Sequence, residues 1–299
     1  MPQHGAAIDG FWTFGLETGE LYCDDNEMIF HSLEPDAPLA EFVESIFHLK
    51  DYVPEHTTER IVPDGSASIV IELDGQKRWI TDNKTRSPAE YFEGQWVSGP
   101  HCNHFCISAV QNTELLAIRF RPGGLLPLLR TDVTEFCERV VDAGNLVDGA
   151  ICMLRSEVQK LATSEQKVRL VEQFLLQNCD FSLKPPASIS HAIQRIQDDS
   201  THSKLSDLVD ASGYSRKHFI HLFRKHIGLR PKDFQRILRF SKALAQIQSR
   251  GAVNWAGVST DCGYSDQSHL IRDFRQFSGF SPKELQDAGF DRSNFFPAD

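Results

Sequence analysis

A phrase written twice near the carboxy terminus constrains this chain more than anything else in it. Ser212 to Pro231 reads SGYSRKHFIHLFRKHIGLRP, and Asp261 to Pro282 reads DCGYSDQSHLIRDFRQFSGFSP. Each copy holds Gly-Tyr-Ser, an amphipathic run ending in Phe-Arg, and Gly-x-x-Pro. In the first, Lys204–Ala211 predicts a short helix with Leu205, Leu208 and Val209 on one face. Gly213 suits a left-handed turn, and Ser215 stands where a helix cap belongs. Arg216–His226 follows as a second helix. Its Phe219, Leu222 and Phe223 recur at i, i+3 and i+4 and belong inside, which turns Arg216, Lys217, Ile220, His221 and Arg224 outward. In the second copy Trp255–Asp261 is the first helix, Gly263 the turn and Asp266–Phe277 the second helix. There Leu270, Phe274 and Phe277 face inward and Gln267, Ser268, Ile271 and Arg272 outward. Matching glycines lie fifty residues apart and matching Phe-Arg pairs fifty-one, which places one extra residue within the second helix of the second copy.

A helix, a tight turn and a helix can lay the second helix in a major groove, where side chains read base edges. Two copies with one scaffold and different exposed letters would read two unequal half-sites. The amphipathic Phe234–Gln248 would join them as a semi-rigid spacer, setting the two grooves about 34 Å apart. Two structural helical pairs with solvated basic faces would share the pattern, and two copies at this spacing favour DNA.

Charge supports that division of labour. The net charge of -10 argues against a nucleic-acid partner for the chain as a whole. Residues 1–184, however, hold 15 Lys/Arg against 29 Asp/Glu, while residues 185–299 hold 16 against 12. Arg216 to Lys242 contains nine cations and a single anion, Asp233. Ser182–Ser188, with its consecutive prolines, reads as an extended linker and hinge between the halves.

Before the linker, Met153–Gln177 shows helical periodicity with a break at Thr163-Ser164-Glu165. This predicts a helical hairpin that packs on the preceding domain or pairs with another subunit. The first 125 residues are strand-rich: Ala67–Leu73 leads into Asp74-Gly75, Leu115–Arg121 ends at Pro122-Gly-Gly124, and Val62-Pro-Asp-Gly65 is another turn. Such punctuation favours a barrel or sandwich. The expected organisation is therefore multi-domain. A barrel-like α+β regulatory or sensor domain occupies 1–125, and a helical connector with a dimerisation role 126–184. An all-α domain with two helix-turn-helix units fills 186–290, and a tail 291–299 folds back onto it or frays.

Residues 186–287 resemble the AraC-type DNA-binding domain of bacterial transcription regulators. The likeness runs through LSDLVDASGYSRKHFIHLFRKHIGLRPKDF, RILRFSKAL and DCGYSDQSHLIRDFRQFSGFSPKEL, about a third of the chain. It implies seven helices with two recognition helices, double-stranded DNA as partner and a regulatory domain that senses a small-molecule effector or mediates dimerisation. Carried over by position, Lys217, Ile220 and His221 of the first helix and Gln267, Ser268 and Arg272 of the second face bases. Ser215, Arg216, Arg224, Lys225 and Arg275 face phosphates. His221 stands where an arginine or another long polar residue is common, which implies a first readout that is either weaker or pH-sensitive. In the second unit Trp255 and Ser259 replace the usual aliphatic and alanine. VPDGSASIVIELDG, WVSGP and IRFRPGGLLPLL more loosely resemble the barrel-like regulatory domain of one branch of the family. A homodimer and contact with RNA polymerase are further expectations.

Other features weigh less. His101-Cys-Asn-His-Phe-Cys106 offers metal-ligand chemistry. Cys102, His104 and Cys106 would share one face of a strand, too spread to converge on an ion unless the chain bends. Arg119 and Arg121 alternate with apolar neighbours, either clamping an anionic effector inside the barrel or, the reading favoured, standing outward as solvated charges. No motif calls for a cofactor, and no nucleophile with its base or phosphate loop stands at a recognisable spacing. The competing reading is a metal- or small-molecule-binding barrel enzyme with a basic helical interaction module. Seven scattered cysteines, the absence of a long apolar run and an amino terminus without a signal pattern point to the cytoplasm and away from membranes.

Overall fold

The structure, a computed structural model, describes residues 21–22, 28–81, 87–248, 254–288 and 295–297. The amino-terminal decapeptide, Cys23 and Asn294 lie outside these. Eleven strands precede the helical region: β1 (Leu21–Tyr22), β2 (Ile29–Leu33), β3 (Val43–Tyr52), β4 (Thr58–Ile61), β5 (Ala67–Glu72), β6 (Arg78–Thr81), β7 (Pro88–Phe92), β8 (Gln95–Ser98), β9 (Phe105–Ser108), β10 (Thr113–Phe120) and β11 (Val140–Asp142). A twelfth, β12 (Phe295–Pro297), comes from the tail. They form a seven-stranded sheet, order β1-β2-β3-β10-β5-β8-β11, and a five-stranded sheet, order β12-β4-β9-β6-β7, with antiparallel pairing throughout.

Strand alternation divides the larger sheet between two cores. Ile69 and Ile71 of β5, with Leu116, Ile118 and Phe120 of β10, face outward and are covered by helices. Val70 and Ala117, with Phe47 and Trp96, face the smaller sheet. The covering helices are α1 (Leu126–Leu129), α2 (Ala150–Val158) and α3 (Ser164–Asn178). Thr163 and Gln166 form a reciprocal capping box that starts α3, and Ile151, Leu154, Val168, Val171 and Leu175 pack on the sheet. The predicted hairpin therefore packs on the barrel. β11 pairs with β8, so the sheet continues past residue 125 into the stretch read as connector.

A polar network also fixes α3. Glu114 of β10 accepts from Lys167 Nζ at 2.7 Å and His48 Nε2 at 3.1 Å, and His48 Nδ1 meets Ser164 Oγ at 3.0 Å. The bond from His48 and the Lys167 ammonium hold the Glu114 carboxyl down at about 2. Its stabilisation is thus complete above the unfolded carboxylate range near 4.3 and is lost as pH falls toward 2. Glu114→Gln is expected to cost about 2 kcal/mol at pH 7 and to remove much of the acid sensitivity between pH 4.5 and 2. Denaturant midpoints across that range check it.

The carboxy-terminal domain comprises α4 (Ala187–Asp198), α5 (Leu205–Ser212), α6 (Arg216–Ile227), α7 (Pro231–Gln248), α8 (Trp255–Asp261), α9 (Gln267–Ser278) and α10 (Pro282–Ala288). Phe219, Phe223, Phe234, Phe240, Phe274 and Phe277 fill its core, with Phe240 edge-on to Phe274 at 4.8 Å. Each such burial contributes about 1.5–3 kcal/mol. Ser259 is buried, its hydroxyl donating to the Trp255 carbonyl, and Trp255 packs half-buried against the same core.

The linker does not leave the two domains apart. Val62 of the barrel belongs to the helical core. Gly65, at φ +85°, lies so close to Phe234 that a Cβ would come within 2.7 Å of that ring. Arg60 Nη1 donates to the Ser278 carbonyl at 2.9 Å, and its guanidinium sits 4.1 Å from the Phe280 ring centre. Ser182–Ser188 is accordingly a short 3-10 turn running into α4, flanked by a packed interface rather than a free hinge. The tail also departs from expectation: Phe295–Pro297 pairs with β4 of the barrel, on the side opposite β9.

Candidate nucleic-acid interface and barrel cavity

Both helical units have the predicted form. Gly213 (φ +69°) and Gly263 (φ +71°) make left-handed turns, and at Gly263 a Cβ would also collide with Thr201. The Ser215 hydroxyl accepts from the His218 N–H at 3.3 Å, and the Asp266 carboxylate accepts from the His269 N–H at 2.8 Å. These caps lie 51 residues apart, and α6 and α9 each have 12 residues. The extra residue of the second copy therefore sits in the turn before the cap, not inside the helix as the spacing suggested. Capping fixes where a helix begins, and Ser265 is left outside it.

The caps set a register. Arg216 corresponds to Gln267, Lys217 to Ser268, Ile220 to Ile271, His221 to Arg272 and Arg224 to Arg275. His218 and His269 pack edge-on against Tyr214 and Tyr264 in matching fashion. Ser215, Arg216, Lys217, His221, Arg224, Lys225, Gln267, Ser268, Arg272 and Arg275 are all exposed. Ile220 is half-buried against the core, as is Leu222, which was expected to lie fully inside. Ile271 stands exposed at the position matching Ile220, although the carried-over reading left it out of the base-facing set. Arg216 likewise occupies the place of Gln267. Both correspondences follow from the caps rather than the glycines.

Two cations of the basic stretch are structural. Arg236 Nη2 donates to Asp273 Oδ1 at 2.6 Å and Gln276 Oε1 at 2.8 Å, and Arg239 Nη1 donates to the Gly263 carbonyl at 3.1 Å. They tie α7 to the second unit, whereas Arg230, Lys232 and Lys242 remain exposed.

Between the two sheets lies a cavity of about 130 Å3. Its walls are aromatic and aliphatic, with Phe47, Trp96, Phe105 and Leu115 among them, and Glu59, Asp64, Glu72, Arg78 and Arg119 also line it. Arg119 is buried inside, against the favoured outward reading, because α2 and α3 cover the sheet's other face. Arg121 lies beyond the strand, exposed, its Nε donating to the Ala40 carbonyl. It does not line the cavity, so the two arginines form no clamp.

Two segments run between cavity and helical domain. Glu59, Ile61 and Asp64 line the cavity, Arg60 and Gly65 contact the helical domain, and Val62 does both. Ser98, His101 and Phe105 line it as well, while Pro100 lies against Gly228, and His104 against Gly279. The Cys102 carbonyl accepts from Gln276. The chain bends before β9, so Cys102 and His104 are not strand residues beside Cys106. Burial pushes the Cys102 thiol up and the His104 imidazole down to about 4. Among the described residues no group of three His, Cys, Asp or Glu side chains is placed to hold a metal ion. Among the described residues Cys102, Cys106, Cys137, Cys152 and Cys179 are free thiols.

Comparison with known proteins matches residues 208–288 to a helix-turn-helix domain and residues 31–142 to a domain of unknown function (DUF6597). An uncharacterized HTH-type transcriptional regulator from Haemophilus influenzae is 23% identical over 174 residues, covering 58% of this chain and 55% of that protein. The chain thus spans about half the length of that curated relative. Among solved structures, ToxT from Vibrio cholerae is 11% identical with a TM-score of 0.44, over 86% of this chain and 98% of that one. A probable AraC family transcriptional regulator from Rhodopseudomonas palustris is 19% identical with a TM-score of 0.31, over 34% and 96%.

Proposed function

We propose that the chain is a sequence-specific DNA-binding transcription regulator of the AraC type reading two successive major grooves, from the premise that residues 208–288 match a helix-turn-helix domain. The observation that carries this reading is the pair of capped, equal-length helices α6 and α9, whose exposed faces match in register and differ in chemistry. Lys217, Ile220 and His221 in α6, and Gln267, Ser268 and Arg272 in α9, are assigned to base edges, with Arg216 and Ile271 added by the register. Ser215, Arg224, Lys225 and Arg275 are assigned to phosphates. Selection from randomised duplexes with the full chain at near-physiological salt is expected to enrich an asymmetric motif of two blocks about one helical turn apart. A single block, or no enrichment, would sink the two-groove reading.

The barrel cavity, with Arg119 in its wall, is the effector site in this reading. Occupancy acts through these two segments, which reach the carboxy-terminal ends of α6 and α9 at Gly228, Ser278 and Gly279. The stretch 126–184 contributes no residue to the cavity wall, so the short route runs directly across the domain interface. Effector and operator must then alter each other's affinity by one common factor. Double-stranded DNA is the partner, in the cytoplasm, with RNA polymerase and a second copy of the chain as further partners. Among the described residues no helix is long and apolar enough to cross a membrane.

A further inference from the structure

Among the described residues the ion pairs around the cavity hold more carboxylates than arginines. Arg119 lies between two carboxylates, Nε to Glu44 Oε2 at 2.5 Å and Nη2 to Asp64 Oδ2 at 2.5 Å. Arg78 does the same, with Nη2 at 2.8 Å from Glu72 Oε2 and 2.5 Å from Asp74 Oδ2. Glu59, a fifth carboxylate, accepts from the Tyr52 hydroxyl at 3.0 Å and stands 3.6 Å from His56 Nε2. Among the described residues it has no lysine or arginine partner in any ion pair. Burial pushes the Glu72 carboxyl up to about 7 even with Arg78 beside it, and burial drives His101 down to about 4, leaving that ring neutral.

An anionic ligand would meet arginines already shared between two carboxylates each and would add negative charge beside them. A cation meets the opposite situation. Glu59 supplies a counter-ion, and Tyr52, Phe47, Trp96 and Phe105 supply aromatic surface suited to an ammonium group. From these contacts we infer that the cavity binds a small organic cation, an amine with a single-ring or short aliphatic body, its ammonium beside Glu59. The volume of about 130 Å3 sets the size, since an apolar cavity of about 150 Å3 takes benzene. Arg78, 4% exposed, also keeps its Nη1 without a hydrogen-bond partner, so a neutral oxygen on the ligand would be matched there. This inference rests on reading the barrel as the effector site.

The test uses three probes of one shape, benzylammonium, benzyl alcohol and benzoate, titrated calorimetrically into the full-length chain at pH 7.5. Benzylammonium is expected to bind at least tenfold more tightly than benzyl alcohol, with benzoate weakest. In Glu59→Gln the cation should fall to the level of the alcohol. Equal binding of all three, tightest binding by benzoate, or no binding of any overturns the assignment, and the wild-type series decides even where Glu59→Gln fails to fold. Operator affinity, measured on the ligand-free chain, reports separately on DNA reading. Cation selectivity with unchanged operator affinity would overturn effector control and leave the ligand class standing.

Discussion

Asp273→Ala is expected to unfold the second helix-turn-helix unit well below the melting temperature of the parent domain. Asp273 lies on α9 with no solvent exposure, and its carboxylate is paired with Arg236 at 2.6 Å and stands 4.0 Å from His269 Nε2. Removing one member of a buried ion pair typically costs 3–5 kcal/mol because the other charge loses its partner. Arg236 keeps 28% side-chain exposure, so some rehydration holds the loss near the lower end, about 3 kcal/mol. At roughly 4–8 °C per kcal/mol for a domain of this size, the midpoint should fall by about 15 °C. The register suggests the rescue: the first unit carries Leu222 where the second carries Asp273. An Arg236→Leu, Asp273→Leu double variant removes both charges and should recover most of the loss, since apolar replacement of a buried pair is often neutral. Calorimetric melting of the three proteins checks this: equal loss in single and double variants would show that the stranded Arg236 charge is not the cause, and no loss in Asp273→Ala would show that the pair holds nothing together.

That pair also shows where sequence reading stops. The helices of both units were legible because their signals are local: Leu205 and Leu208, Phe219 and Phe223, Gly213 and Gly263 act within a turn or two of the chain. Asp273 and Arg236 lie thirty-seven residues apart, and nothing in either neighbourhood marks them as partners rather than solvated charges. Arg119 is a related case. Alternation along β10 fixes that Leu115, Ala117 and Arg119 share a face, but not that Leu116, Ile118 and Phe120 are roofed by α2 and α3. With both faces covered, parity does not tell inside from outside, and the surface charge expected at Arg119 became a buried one. The carboxylates around it, Glu44 and Asp64, come from two other parts of the fold. The misplaced extra residue arose differently, from matching Gly to Gly when helix geometry counts from the cap. Ser215 and Asp266 are the equivalent caps, and the register of α6 on α9 is read from them.

Lys217→Ala with Arg272→Ala is expected to abolish sequence preference while leaving the fold intact. Both side chains are exposed, near the start and middle of their respective helices, so neither removal opens a cavity or strands a buried charge. A well-made contact to a base edge is worth about 1–3 kcal/mol of discrimination, so losing one in each groove should cost about 2–6 kcal/mol between the selected motif and random DNA. Affinity for random DNA should persist, carried by Arg224, Lys225 and Arg275. A phosphate role predicts the reverse signature at those positions: Arg224→Ala with Arg275→Ala should leave the selected motif recognisable and flatten the salt dependence by about 0.9 per contact removed. Binding to motif and scrambled duplexes across a salt series separates the two outcomes. Should the first pair change only the salt slope and the second change the motif, the recognition faces of α6 and α9 would have to be rotated about their axes, with Arg224 and Arg275 reading the bases.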